Sequence, residues 1–362
     1  MKVELFLFSD RGELNHEIPK SINVLKSNYL LTLAATPLSG ILRSGSGLDK
    51  LLRILLTLLV RMIGSQKFFK FLFSMEKQST SYDVAISYFN DVPGGYLNRG
   101  SNQYISEHVT AAKKIGWIHT DLFKANFDRE DCLKTYRDFD SIVNVSKAGK
   151  EQVDCFLPEY KNKSYFLHNY IPIDTIREQA SAYETSYQAD IINFVTVARI
   201  DNGSKRIDRI IEVVHLLQMN GYENFKWWII GDGPDSKKNQ MLAKEYELNE
   251  LIEFTGEKTN PYPFIKSADA FILASDYEGF PMVIGESLAL GTPVITTAYA
   301  SAKEQLKDGV NGLIVQNNTK ALFEVLKSVL DDKAIILKLQ VGAKGEIGND
   351  ELALSQLKEL LY

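Results

Sequence analysis

The segment AFILASDYEGFPMVIGESLALGTPVITT, residues 270–297, decides the fold. Its apolar start, Ala270 to Leu273, reads as a buried strand, and the polar loop after it turns through Gly279-Phe280-Pro281 into a short helix. Pro281 suits a first helical turn, where its missing N–H would have had no partner. Gly291 closes the helix and Pro293 returns the chain to an extended run, Val294 to Thr297. Glu278 stands at the carboxyl end of the strand and Glu286 on the helix, with seven residues between them. The free amides of that first turn form a positive pole above the sheet. Carboxylates on either side of such an anion seat can hold hydroxyls of two sugar rings with a diphosphate between them. The competing interpretation is an ordinary strand–loop–helix of a parallel sheet whose glutamates are solvated.

Outward from this segment, short apolar runs alternate with helical patterns, the signature of βαβ units. In the second half the reading predicts strands at 192–198, 227–230, 252–254, 270–273, 294–297 and 312–315. Helices are predicted at 207–219, 237–247, 261–266 and 302–306. A doubly wound sheet of this kind places ligands at the carboxyl ends of its strands. In the first half, strands are expected at 3–8, 84–88, 114–119, 141–145 and 164–167. A polar run from Glu178 to Thr185 reads as a linker. The expected domains are 1–175, 176–345 and a helical tail, 346–362.

The composition is that of a soluble globular protein, with 45% hydrophobic and 24% charged residues in 362. A net charge of -5 offers no basic excess to displace the counterions of a nucleic acid. Cys132 and Cys155 are the only cysteines and lack metal-ligand spacing, which suits a reducing cytoplasm. No signal peptide and no apolar run of spanning length is expected.

Arg199 and Lys205 follow the strand 192–198 in a Gly-containing loop, where two cations could neutralise a diphosphate. Two solvated surface charges are the equally ordinary alternative. Gly231-Asp232-Gly233-Pro234 ends the next strand and reads mainly as a tight structural turn.

From Phe194 to Val315 these features resemble the retaining glycosyltransferases of family 4, which have the GT-B fold. The resemblance is carried by Arg199 and Lys205, Gly231 to Pro234, Phe254-Thr255-Gly256, Ser267-Ala268-Asp269, the Glu278/Glu286 pair and Asn311-Gly312-Leu313, in that order. It implies an α/β protein of two Rossmann-like domains facing across a cleft, and a metal-independent hexosyltransferase with no cofactor. The implied donor is a nucleotide-diphosphate sugar, with a UDP-sugar expected. By the same resemblance Glu286 would bind the ribose hydroxyls and Glu278 would lie near the transferred sugar. Backbone amides of Gly279 and Phe280 would approach sugar and phosphate oxygens, and Gly256 to Lys258 would lie beside the base. Arg199 and Lys205 would stabilise the departing diphosphate. The loop between them is one residue longer than the family spacing, which makes Arg206 a competitor of Lys205.

The first domain carries the resemblance through Tyr82 to Ser87, Trp117 to Asp121, Val145-Ser146-Lys147 and Asn169 to Pro172. It would be the acceptor domain, with His119 near the donor sugar; a histidine satisfying a loop carbonyl is the alternative. His16, His108, His168 and His215 have no comparable context. Met1 enters at what would be the family's second strand, so the first domain is expected to lack the opening strand and Gly-rich loop, leaving an unpaired sheet position. That expectation keeps a second role in view, a non-catalytic GT-B-like partner subunit. A sugar-nucleotide epimerase is a third.

Residues 43–77 hold seven Lys or Arg against Asp49 and Glu76. Lys50, Arg53, Thr57 and Arg61 draw one polar stripe down an otherwise apolar helix, and Phe68, Phe69, Phe71 and Phe73 follow among lysines. Such a segment suits an anionic membrane surface, which would make the acceptor a lipid-linked glycan and place the protein peripherally at the cytoplasmic face. A core helix with its charged edge in water is the alternative.

Overall fold

The computed structural model describes residues 2–361 except 12–14, 16–17, 77–80, 92–96, 98–99, 186, 189 and 345–349. The chain divides into two compact units, 1–143 with 153–165, and 144–152 with 166–362.

The first unit holds β1 (Glu4–Leu7) and β2 (Asn23–Lys26), which pair in parallel as a separate two-stranded ladder. A four-stranded sheet follows, β3 (Tyr82–Ser87), β4 (Ala111–Ile118), β5 (Ser141–Asn144) and β6 (Ser164–Phe166), in sequence order. β2 escapes sequence reading because Asn23 and Lys26 are exposed and only two half-buried apolar residues lie between them. Side chains hold β1 to the rest of the unit. Tyr82 donates to Glu4 at 2.7 Å, and Phe6 stacks on Tyr104 with centroids 4.6 Å apart.

Helix Gly47–Ile63 opens with a capping box between Ser46 and Asp49. The expected polar stripe is split, with Arg61 exposed, Lys50 half-buried and Arg53 turned inward. Arg53 is only 6% exposed and faces the core, donating to the carbonyl of Thr36 at 3.3 Å and to the Thr57 hydroxyl at 2.7 Å. Thr36 is the C-cap of helix Tyr29–Ala35, so the guanidinium serves the negative end of that helix. Arg53 and Thr57 therefore lie on the inner side of the helix, and Leu48, Leu51, Ile54, Leu55, Leu58 and Met62 are left exposed.

The second unit is a six-stranded sheet with every described pairing parallel. Its strands are β7 (Ile192–Val197), β8 (Phe225–Ile230), β9 (Ile252–Gly256), β10 (Ala270–Leu273), β11 (Val294–Thr297) and β12 (Gly312–Val315). They are ordered β12-β11-β10-β7-β8-β9. β10 and β11 are buried throughout, as continuous apolar or β-branched runs in a two-sided sheet should be. Alternation sends Phe194, Trp227, Ile272 and Ile295 to one face, under helices Ile207–Met219 and Thr319–Asp331. Val195, Ile230, Phe271 and Val294 go to the other, with Ile284 and Leu288 of helix Met282–Ala289. Helices Thr319–Asp331, Ala334–Lys344 and Asp350–Leu361 follow β12. Pro281 caps helix Met282–Ala289 instead of lying in its first turn, a shift of one residue.

Candidate active site

In the second unit the strand order reverses between β7 and β10, which pair directly. This switch point opens a crevice at the carboxyl ends of the two strands, because their connections leave in opposite directions. The loop 198–206 follows β7 and the loop 274–281 follows β10. They are joined by a backbone bond from the Asp276 N–H to the Ser204 carbonyl, 2.8 Å.

The two loops bring together one member of each predicted pair. Lys205 Nζ lies 2.6 Å from Glu278 Oε1, and Ser275 donates to the same oxygen at 2.6 Å. Thr297 of β11 fixes Ser275 by donating to its carbonyl at 2.6 Å. Both partners are largely shielded, with side chains 24% and 11% exposed. Glu278 therefore stands as an oriented carboxylate beside a fixed cation.

Arg206, the competitor of Lys205, is turned elsewhere. Its backbone is left-handed, φ 52°, and its guanidinium bonds Asp208 and, at 3.1 Å, Asp276. Buried Arg209 bonds Asp276 at 2.6 Å, the Ala274 carbonyl at 2.7 Å and Asn317 at 2.7 Å. Burial pushes the Asp276 carboxyl up, but the two guanidiniums together hold it below the usual carboxylate range. Asp276 is a hub that sequence reasoning missed; the closely spaced Arg206 and Arg209 were its available signal. Arg199 is not gathered into this cluster: its side chain is 68% exposed and pairs with Asp201.

Glu286 lies one to two turns into helix Met282–Ala289, half-buried, with the Tyr262 hydroxyl 3.4 Å from Oε1. Burial raises its carboxyl above the ordinary value, and the Tyr262 bond opposes this only in part. Gly256 ends β9 at the sheet edge with φ 73°, and Lys258 follows it, exposed. The Gly256 carbonyl accepts from the Gly231 N–H at 3.0 Å. At Gly231 a Cβ would lie 2.0 Å from the Ala198 carbonyl oxygen, so this glycine lets the 231–235 turn close on the β7 loop.

Phe280 is stacked on His168, centroids 4.6 Å apart, and Gly279 precedes it, half-buried. Tyr299 was also missed: its hydroxyl is buried, and the nearby Glu278 charge adds to the burial that raises it well above the phenol value.

His119 belongs to the first unit. Its Nε2 lies 2.8 Å from the Tyr88 carbonyl and its backbone N–H donates to Asn90 at 3.3 Å. Burial lowers the imidazole, against the Tyr88 bond, so the neutral ring dominates near neutral pH. The carbonyl-bonding role expected of a structural histidine is thus present, whatever else the ring does.

Residues 184–346 match the family model described as Glycosyl transferases group 1. A Campylobacter jejuni N-acetylgalactosamine-N,N'-diacetylbacillosaminyl-diphospho-undecaprenol 4-alpha-N-acetylgalactosaminyltransferase is 29% identical over 236 residues, 62% of this chain and 61% of that protein. The lipopolysaccharide 1,6-galactosyltransferase of Escherichia coli is 29% identical over 161 residues, 43% of each chain. This chain therefore spans less than two thirds of the length of these curated relatives. Among solved structures, Anabaena HepE in complex with UDP and glucose superposes with a TM-score of 0.61 at 14% identity, covering 99% of this chain and 91% of that one. S. aureus TarM, in complex with fondaparinux, alpha-GlcNAc-glycerol and UDP, gives 0.62 at 17%, covering 81% and 58%. The fold is GT-B, and the match to the Glycosyl transferases group 1 model falls within the second unit.

Proposed function

We propose that this GT-B chain moves a hexose-type sugar from a nucleotide-diphosphate donor to a glycan acceptor with retention of configuration. The observation that carries the reading is the Lys205–Glu278 pair, set at the switch point directly before the helix bearing Glu286. A diphosphate there would meet the Lys205 ammonium and the amides that begin helix Met282–Ala289. Glu278 would accept bonds from the transferred sugar, and Glu286 from the ribose. As the bond from C1 to the phosphate lengthens, charge grows on the leaving oxygen, and Lys205 with those amides stabilises it. The acceptor hydroxyl then attacks from the same face and gives its proton to that oxygen, so no side chain is needed as nucleophile. Arg199 joins this arrangement only by swinging away from Asp201.

The relatives assemble glycans, one of them on a diphospho-undecaprenol carrier by its name, which supports a lipid-linked acceptor. Among the described residues no helix is long and apolar enough to cross a membrane. The exposed row from Leu48 to Met62, with Arg61, Lys67 and Lys70 also exposed, supports contact with an anionic membrane surface. Arg53 takes no part in that contact. The test is incubation of the purified chain with UDP-hexoses, UDP-N-acetylhexosamines and lipid-diphosphate glycans, reading transfer and the anomeric configuration of the product. A retained configuration supports the reading. Tight donor binding without transfer or hydrolysis would favour a non-catalytic partner subunit.

A further inference from the structure

The loop Gly279-Phe280-Pro281 is held by three side chains from other parts of the second unit. The imidazole of His168 lies nearly parallel to the Phe280 ring, with planes 14° apart and centroids 4.6 Å apart. Asn169 donates to the Phe280 carbonyl at 3.1 Å, and Gln305 donates to the Pro281 carbonyl at 2.9 Å. His168 is itself fixed, because its Nε2 lies 3.0 Å from Glu304 Oε2.

Glu304 does more than orient one ring. Its two oxygens also accept the backbone N–H groups of Lys147 and Ala148, each at 2.8 Å, in the first turn of helix Lys147–Phe156. The seat that this helix end would offer to an anion is thus taken by a protein carboxylate. Burial raises Glu304, but the bonds from His168, Ala148 and Lys147 hold it below the usual carboxylate range, so it stays ionised. The resulting chain runs from the Lys147 turn through Glu304 and His168 to Phe280, which adjoins the amides that start helix Met282–Ala289. The links are directional: two N–H···O bonds, a ring-nitrogen contact and a ring stack.

We propose that Glu304 and His168 are positioning residues for the donor diphosphate, acting through Phe280 on the 279–283 backbone. This rests on the donor-site reading above. His168 rotation would unstack Phe280 and move the amides, and a shift of about 1 Å at such a site can cost roughly 100-fold in rate. The arrangement also makes the start of helix Lys147–Phe156 and the donor loop settle together.

The test uses the full chain with His168→Ala, His168→Phe and Glu304→Gln. Hydrogen exchange at residues 279–283 is read in the ligand-free protein, and kcat and the acceptor KM are read with UDP-sugars and a lipid-diphosphate glycan acceptor. His168→Ala is expected to speed exchange there roughly tenfold or more. It should lower kcat roughly 10- to 100-fold while the acceptor KM stays within about twofold. His168→Phe keeps a ring on Phe280 and should recover part of both losses, which a general folding defect would not allow. Wild-type exchange in His168→Ala would overturn the proposal, as would faster exchange with unchanged kcat. If the wild-type chain shows neither donor binding nor turnover, the donor reading and the role built on it both fail, and faster exchange then establishes the mechanical link alone.

Discussion

Lys205 and Arg206 are neighbouring cations with different partners, and the difference is testable. Lys205 bonds Glu278, whereas Arg206 is spent on Asp208 and Asp276. Lys205→Ala should lower donor turnover roughly 100- to 1,000-fold, the range for removing one group that stabilises a developing oxyanion. Arg206→Ala should instead lower the melting temperature, because Asp276 loses one of its two guanidiniums. Equal rate losses in steady-state assays would contradict this division. Glu286 makes a pH prediction. Its folded value is raised above 4.5, so its contribution to stability is fully present below about that pH and is lost as pH rises through the folded value. Glu286→Gln should therefore melt higher than wild type at pH 7, converge with it below about pH 4.5, and bind nucleotide more weakly. Thermal melts across pH and UDP titration check both halves.

At the scale of elements, the strands of the second unit were legible because buried parallel strands must be apolar along their whole length. β10, β11 and β12 were predicted with the bounds they have, and so was helix Ile207–Met219. The helix Gly47–Ile63 is legible as a helix, but the inward turn of Arg53 is not. A periodic pattern locates a polar stripe but does not say whether that stripe meets water or the unsatisfied carbonyls of another helix. Thr36 supplies such a carbonyl, and only tertiary structure shows it. His168 was passed over for a related reason, since Glu304 and Phe280 are more than a hundred residues away in sequence. Two consequences separate the faces of the Gly47–Ile63 helix. Arg53→Met should destabilise the fold by about 1–3 kcal/mol in chemical denaturation, as expected when a buried carbonyl loses its donor. Leu51→Asp with Leu58→Asp should leave the fold intact and abolish sedimentation with anionic vesicles. Retained vesicle binding in that double variant would remove the exposed row from the interface.

For the molecule as a whole, two units with distinct cores and a GT-B likeness extending over 99% of the chain define the architecture. β1 and β2 form their own ladder, and β3 is an end strand of the four-stranded sheet. The chemistry is proposed from the second unit, where fold, sequence match and side-chain geometry meet at one place. The most direct measurement is UDP release from a UDP-sugar panel by wild type and Glu278→Ala, with UDP affinity measured in parallel by calorimetry. Saturable release by wild type with at least one donor is expected, and loss of that release in Glu278→Ala with UDP affinity kept within a few-fold. Release by Glu278→Ala at the wild-type rate, or a wild-type chain that does not bind UDP or any other nucleoside diphosphate, would contradict this expectation.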